Sequence, residues 1–206
     1  MNDIRYPVPA AVHRIEQVVD RSRFICTVAR AANAEEAQAF IKSMNAEFSN
    51  ATHNCWAYVL GPPGSTDRIG MSDDGEPHGT AGRPMLTVLM HCGIGEIVAV
   101  VTRYYGGTNL GTGGLVKAYG GAVQEALVQL PTQLRVDTVT VTFAVGYAAI
   151  GAVQQMLPTV EAEVVSQQFA VEAEFTVMVP RVQLPILEAQ LQHITRGAMA
   201  PLQSPA

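Results

Sequence analysis

"TRYYGGTNLGTGGLVKAYGG", residues 102–121, holds seven glycines, three tyrosines, one arginine and one lysine. The stretch "EIVAVVTRYY" leads into it with almost unbroken apolar character, the pattern of a strand covered on both faces. Leu115, Val116, Tyr119, Ala122, Val123, Ala126 and Leu127 lead out of it at helical spacing, and Pro131 stops the run. Strand, glycine-rich turn, helix is the geometry in which backbone N–H groups and a helix N-terminus collect an anion. Arg103, Gly106, Gly107, Gly111, Thr112, Gly113 and Lys117 are therefore the candidate anion ligands. The spacing is neither a P-loop nor a dinucleotide fingerprint. The alternative is a tight turn whose glycines only let the helix pack on the sheet.

The chain around this joint has 206 residues, 48% hydrophobic and 15% charged, enough for one large domain or two small ones. No apolar run has the roughly 18 residues of a membrane span, and "MNDIRYPVPAAVHRIEQ" lacks a secretory core. Three cysteines without paired spacing fit a reducing compartment, so the expectation is a soluble, cytoplasmic chain. Residues 1–133 carry 10 Lys+Arg against 12 Asp+Glu, and residues 134–206 carry 3 against 6, for net charges of −2 and −3. Neither part binds a polyanion by bulk charge, so any such partner must meet a local patch.

Before the joint, residues 11–20 and Phe24–Ala31 read as strands around a turn at Asp20–Ser22. Asn33 and Glu36 form a capping-box pattern ahead of a helix over about Ala34–Glu47. Cys55–Leu60 is a short strand, residues 61–84 a long loop, and Met85–Met90 a helix ended by Gly93. A loop that long is usually functional or disordered. "PTQLR" reads as a linker. Beyond it come a strand (Thr138–Val145), a helix with Tyr147, Ile150, Val153 and Leu157, strands over Ala162–Gln168 and Val171–Val179, and a helix over Val182–Thr195. That order is a ferredoxin-like βαββα, with a closing strand expected near Met199.

The long loop holds "SDDGEPHGTAGRP". Asp73, Asp74 and Glu76 could bind a divalent metal or share acid–base work. They could instead cap turns or pair with Arg83 and Arg103, and that reading is preferred, with no metal or cofactor called for. His53 and Cys55 stand two apart, but Cys55 opens an apolar strand and reads as core.

The segments "SRFI" (22–25), "HNCWAY" (53–58), "SDDGEPHGTAGRPML" (72–86) and "VVTRYYGGTNLGTGGLVKAY" (100–119) resemble the IMPACT/YigZ family, and with the βαββα tail the resemblance covers essentially the whole chain. His78 departs from it, standing where many members carry a small residue such as serine. The resemblance implies an α+β protein. Residues 1–133 should resemble the second domain of ribosomal small-subunit protein five, and residues 134–206 the ferredoxin-like domains of elongation factor G. It brings no established catalytic residues. It points to a translation-associated protein that binds RNA or the ribosome through Arg23, Arg83, Arg103, Lys117 and the glycine amides. Two alternatives stay open: an enzyme holding a phosphorylated small molecule or nucleotide at the joint, and a protein-interaction module regulating translation or a stress response.

Overall fold

The computed structural model describes residues 5–197 and residue 202. It divides into two compact units, Tyr6–Arg135 and a second that begins at Val136 and includes Arg5. The division falls two residues beyond the expected one.

In the first unit the chain opens with β1 (Tyr6–Pro9), β2 (His13–Val19) and β3 (Ser22–Arg30). Asp20 and Arg21 both have positive φ, as a two-residue hairpin turn requires. Helix α1 (Ala34–Glu47) starts at the expected capping box. Asn33 Oδ1 accepts the Glu36 N–H at 2.9 Å, and Glu36 Oε2 accepts the Ala32 N–H at 2.8 Å. Next come β4 (His53–Val59), β5 (Ile69–Ser72), α2 (Gly82–His91), β6 (Ile97–Tyr104), α3 (Gly111–Val128) and β7 (Thr132–Arg135).

Strands 2 to 6 form one antiparallel sheet in the order β2-β3-β6-β4-β5. Alternation along β6 splits its residues between two cores. Ile97, Ala99 and Val101 face α2 and α3, while Val98 and Val100 face α1. Helices on both faces explain why β6 reads as continuously apolar.

Two expectations need correcting. The long loop contains β5, a four-residue edge strand whose Ile69 and Met71 are exposed, so no burial pattern marks it. "PTQLR" is not a linker, because Thr132–Arg135 pairs antiparallel with Tyr6–Pro9. This small ladder is pinned to the main sheet by Glu96, which is 3% exposed and sits at φ +49°. Its carboxylate accepts from Tyr6 Oη at 3.0 Å, from Arg30 Nε at 2.8 Å and from Arg135 Nε.

The second unit has β8 (Thr138–Val145), α4 (Ile150–Met156), β9 (Glu163–Phe169), β10 (Ala173–Pro180) and α5 (Leu184–Ile194), with single 3₁₀ turns flanking α4 and preceding α5. The sheet order β8-β10-β9 is antiparallel, and Val141, Phe143, Phe175, Val177, Leu187 and Leu191 fill its core. This is the expected βαββα arrangement. Met199, where a closing strand was expected, lies outside the described residues.

Candidate functional site

The glycine joint is first a packing device. A Cβ on Gly106 would lie 2.0 Å from the Arg21 carbonyl oxygen, so the β2–β3 turn rests directly on its backbone. Gly107 and Gly111 hold φ of +84° and +70°. Gly106→Ala should cost about 2–3 kcal/mol, because backbone rather than a flexible side chain must yield. Urea denaturation followed through Trp56, the single tryptophan, reads this out.

Arg103 leaves the joint inward. Its side chain is 7% exposed, Nη1 donates to Glu76 Oε1 at 2.6 Å and Nη2 to Ser22 Oγ at 3.3 Å. Tyr119 Oη donates to the same Glu76 oxygen at 2.8 Å. The result is a buried Arg–Glu–Tyr network under the joint, which satisfies the expected pairing of an acid-loop residue with Arg103. Glu76 and Tyr119 were not read as partners in the sequence. The parity of β6 carries the signal: Arg103 shares the face of Ala99 and Val101, and Tyr119 lies on the buried stripe of α3.

The other two loop acids each have a separate structural task. Asp73 accepts from the backbone N–H groups of Gly79, Ala81 and Gly82 at 2.8–3.0 Å and so caps α2. Partial burial works to raise its carboxyl pKa, but the three N–H donors outweigh that and hold it below the ordinary value. Asp74, at φ +43°, accepts the Asn54 N–H at 2.6 Å, and its carbonyl meets His53 Nδ1 at 2.6 Å. Among the described residues no group of three or more His, Cys, Asp or Glu side chains converges as a metal cage. Asp73→Ala should leave three backbone donors at and just before the start of α2 without an acceptor and cost about 2–4 kcal/mol, measured by the same denaturation.

Cys55 is fully buried and donates to the Asp73 carbonyl at 2.9 Å. Burial pushes its thiol pKa well above the usual value, the opposite of nucleophile activation. His78 is fully exposed.

Arg83 and Lys117 meet elsewhere, in a groove of about 440 Å³ between α2 and α3 that includes Gly79, Gly120, Gly121 and Gln124. Its lining has two cations and no carboxylate. Neither cation enters an ion pair among the described residues. Arg23 lies apart from this groove, half-exposed, paired with Glu16 at 2.9 Å and stacked over the Tyr104 ring at 4.9 Å. Arg103, Gly111 and Thr112 line a second cleft, with His53, Glu76 and Tyr105. The candidate ligands are thus divided: Arg83 and Lys117 line the groove, Arg103, Gly111 and Thr112 line the cleft, and Arg23, Gly106, Gly107 and Gly113 line neither. Gly113 faces open space at the start of α3.

No helix among the described residues is long and apolar enough to cross a membrane. Residues 20–127 match the Impact N-terminal domain, and residues 143–198 match a domain of unknown function, DUF1949. The chain is 41% identical to the IMPACT family member YigZ of Escherichia coli (strain K12) over 192 residues, covering 93% of this chain and 94% of YigZ. It is 43% identical to an IMPACT family member of Haemophilus influenzae over 80% of each chain. A crystal structure titled as that of a hypothetical protein superposes with a TM-score of 0.71 at 38% identity, covering 100% of this chain and 99% of the other.

Proposed function

The chain belongs to the IMPACT family, and from that premise we propose that it is a translation-associated RNA-binding protein of the cytoplasm, gripping phosphates in the groove between α2 and α3. The observation that carries this reading is the groove's lining, with Arg83 and Lys117 in no ion pair among the described residues and no carboxylate in the lining. In a unit with net negative charge, this is the local patch that a polyanion requires. Gly120 and Gly121 line the groove beside the two cations without side chains of their own. Contacts of this kind position a partner without reading its sequence.

The test is co-sedimentation with ribosomes and direct titration of short single-stranded RNA, both across a salt series, with the variant Arg83→Glu/Lys117→Glu alongside. Both side chains are exposed, so the variant should fold normally. Affinity should fall about 10- to 100-fold for all sequences, and the salt slope should drop by about 1.4, some 0.7 per lost phosphate contact. Unchanged affinity and slope in a folded variant would remove the groove from RNA binding.

A further inference from the structure

We propose that the groove between α2 and α3 receives an unpaired base, so that its ligand is single-stranded RNA with one nucleotide turned into the groove, not duplex RNA. The inference rests on the reading of this groove as a phosphate site and names the chain to which the phosphate belongs.

Two features of the groove have no use in holding a phosphate. The first is its apolar lining. Pro84 and Val88 of α2 and Val116 of α3 stand beside Arg83 and Lys117, and Val116 is 40% exposed. A phosphate gains nothing from aliphatic carbon. A base that has left its stack does, because its two flat faces would otherwise meet water.

The second is the pair Gly120 and Gly121 within the 18-residue helix α3. Glycine is the poorest helix former after proline. Neither residue holds positive φ, so no special backbone conformation calls for them. Packing accepts a side chain at both. A Cβ on Gly120 would meet Pro84 Cβ at 3.8 Å and Val88 Cγ2 at 3.9 Å, which are ordinary contacts, and one on Gly121 would meet nothing within 4 Å. Gly106 differs, because there backbone stands in the way. The fold would therefore be more stable with alanine at 120 and 121. What a side chain would remove is room in the groove, since Pro84 and Val88 belong to its lining.

The charge pattern selects the occupant. Two cations without a carboxylate suit an anion, and the apolar lining beside them suits a flat ring attached to it. The volume of about 440 Å³ falls within the range of about 300–1,000 Å³ found for small-molecule sites, which is room for one nucleotide. Lys117, Gly120, Gly121 and Gln124 follow at three- and four-residue spacing and share one face of α3. Gln124 lies two turns beyond Lys117, about 10 Å along the axis, a distance comparable to that from a nucleotide's phosphate to the pairing edge of its base. Its amide carries both donors and an acceptor, so it can meet the edge of any base. In a duplex those edges are paired and stacked, and only phosphate would reach the groove.

The experiment titrates the full chain, across a salt series, with one short labelled RNA in three forms: the single strand, the same strand annealed to its complement, and the single strand with abasic sites in place of its bases. A site that held phosphate alone would favour the duplex, whose charge is denser. The single strand should instead bind about tenfold tighter than either other form. Gly121→Leu should keep or raise the urea midpoint and keep the salt slope, because both cations remain. It should lower single-strand affinity about tenfold, towards that of the abasic strand. Gly120→Ala, which packing accepts, should change affinity in the same direction and covers the case of a leucine that unsettles the helix. A single strand bound no tighter than the abasic strand, or undiminished binding in Gly121→Leu with the parent's urea midpoint, would overturn the proposal. If Arg83→Glu/Lys117→Glu then weakens all three forms, the groove still grips phosphates and only the base pocket falls. If that variant is also without effect, the phosphate reading falls with it.

Discussion

Glu76→Ala is expected to lower the stability of the first unit by about 3–5 kcal/mol, one of the two largest losses among single substitutions considered. The reason is what remains behind: Arg103 would be a buried cation with Ser22 Oγ as its remaining hydrogen-bond partner, and Tyr119 would lose its carboxylate acceptor and keep only the Cys55 sulfur beside its hydroxyl. The pair itself is a weak source of net stability, since both charges had to leave water. A second variant separates these statements. Glu76→Leu with Arg103→Met removes both charges and fills the space with apolar atoms, so it should recover most of the loss, less about 1–3 kcal/mol for the Tyr119 hydroxyl, which still lacks its carboxylate acceptor. Urea titrations of the three proteins, read at Trp56, settle the matter. A double variant as unstable as Glu76→Ala would mean the deficit comes from packing.

The second large effect is at Glu96. Three donors converge on one buried carboxylate, so Glu96→Ala leaves Arg30, Arg135 and Tyr6 without their common acceptor, and a loss of about 3–5 kcal/mol is expected. The pH dependence identifies the mechanism. Burial alone would raise the carboxyl pKa, but the bonds from Arg30 and Tyr6 and the nearby guanidinium charges prevail and hold it below the ordinary value. Its stabilisation is therefore complete above the unfolded value of about 4.3 and drains away as pH falls through the lower folded one. Stability measured between pH 6 and pH 3 should fall less steeply in Glu96→Gln than in the parent. Equal slopes would show that Glu96 does not supply this part of the acid sensitivity. Tyr6 moves the other way: burial first, then its bond to Glu96, push its hydroxyl up to about 12, so its contribution holds below pH 10 and fades through pH 12.

What could be read in the sequence was what local chemistry determines. The capping box at Asn33 and Glu36, the hairpin turn at Asp20–Arg21 and the unbroken apolar run of β6 each announce themselves within a few residues. The missed elements depend on distant partners. Strand β1 contains two prolines, which ordinarily argue against a strand, and its pairing partner begins at Thr132, more than 120 residues away. Strand β5 is a four-residue edge with exposed apolar side chains, so alternation is not visible there. The joint is the instructive case. Its glycines and flanking cations drew Arg103 and Lys117 into one imagined site, but a strand residue and a helix residue obey different periodicities. Strand parity turns Arg103 into the core, and helix phase leaves Lys117 on the surface beside Arg83.

The β1–β7 ladder also determines how the first unit would respond to force. Tyr6 lies opposite Arg135, so the polypeptide enters and leaves the unit side by side. Tension applied at these two points would open the ladder like a zipper, one rung at a time, rather than shear all its bonds together. The first rung is also where Glu96 holds both side chains. That carboxylate is therefore the mechanical latch of the unit, and its protonation would soften the fold's grip on its own ends.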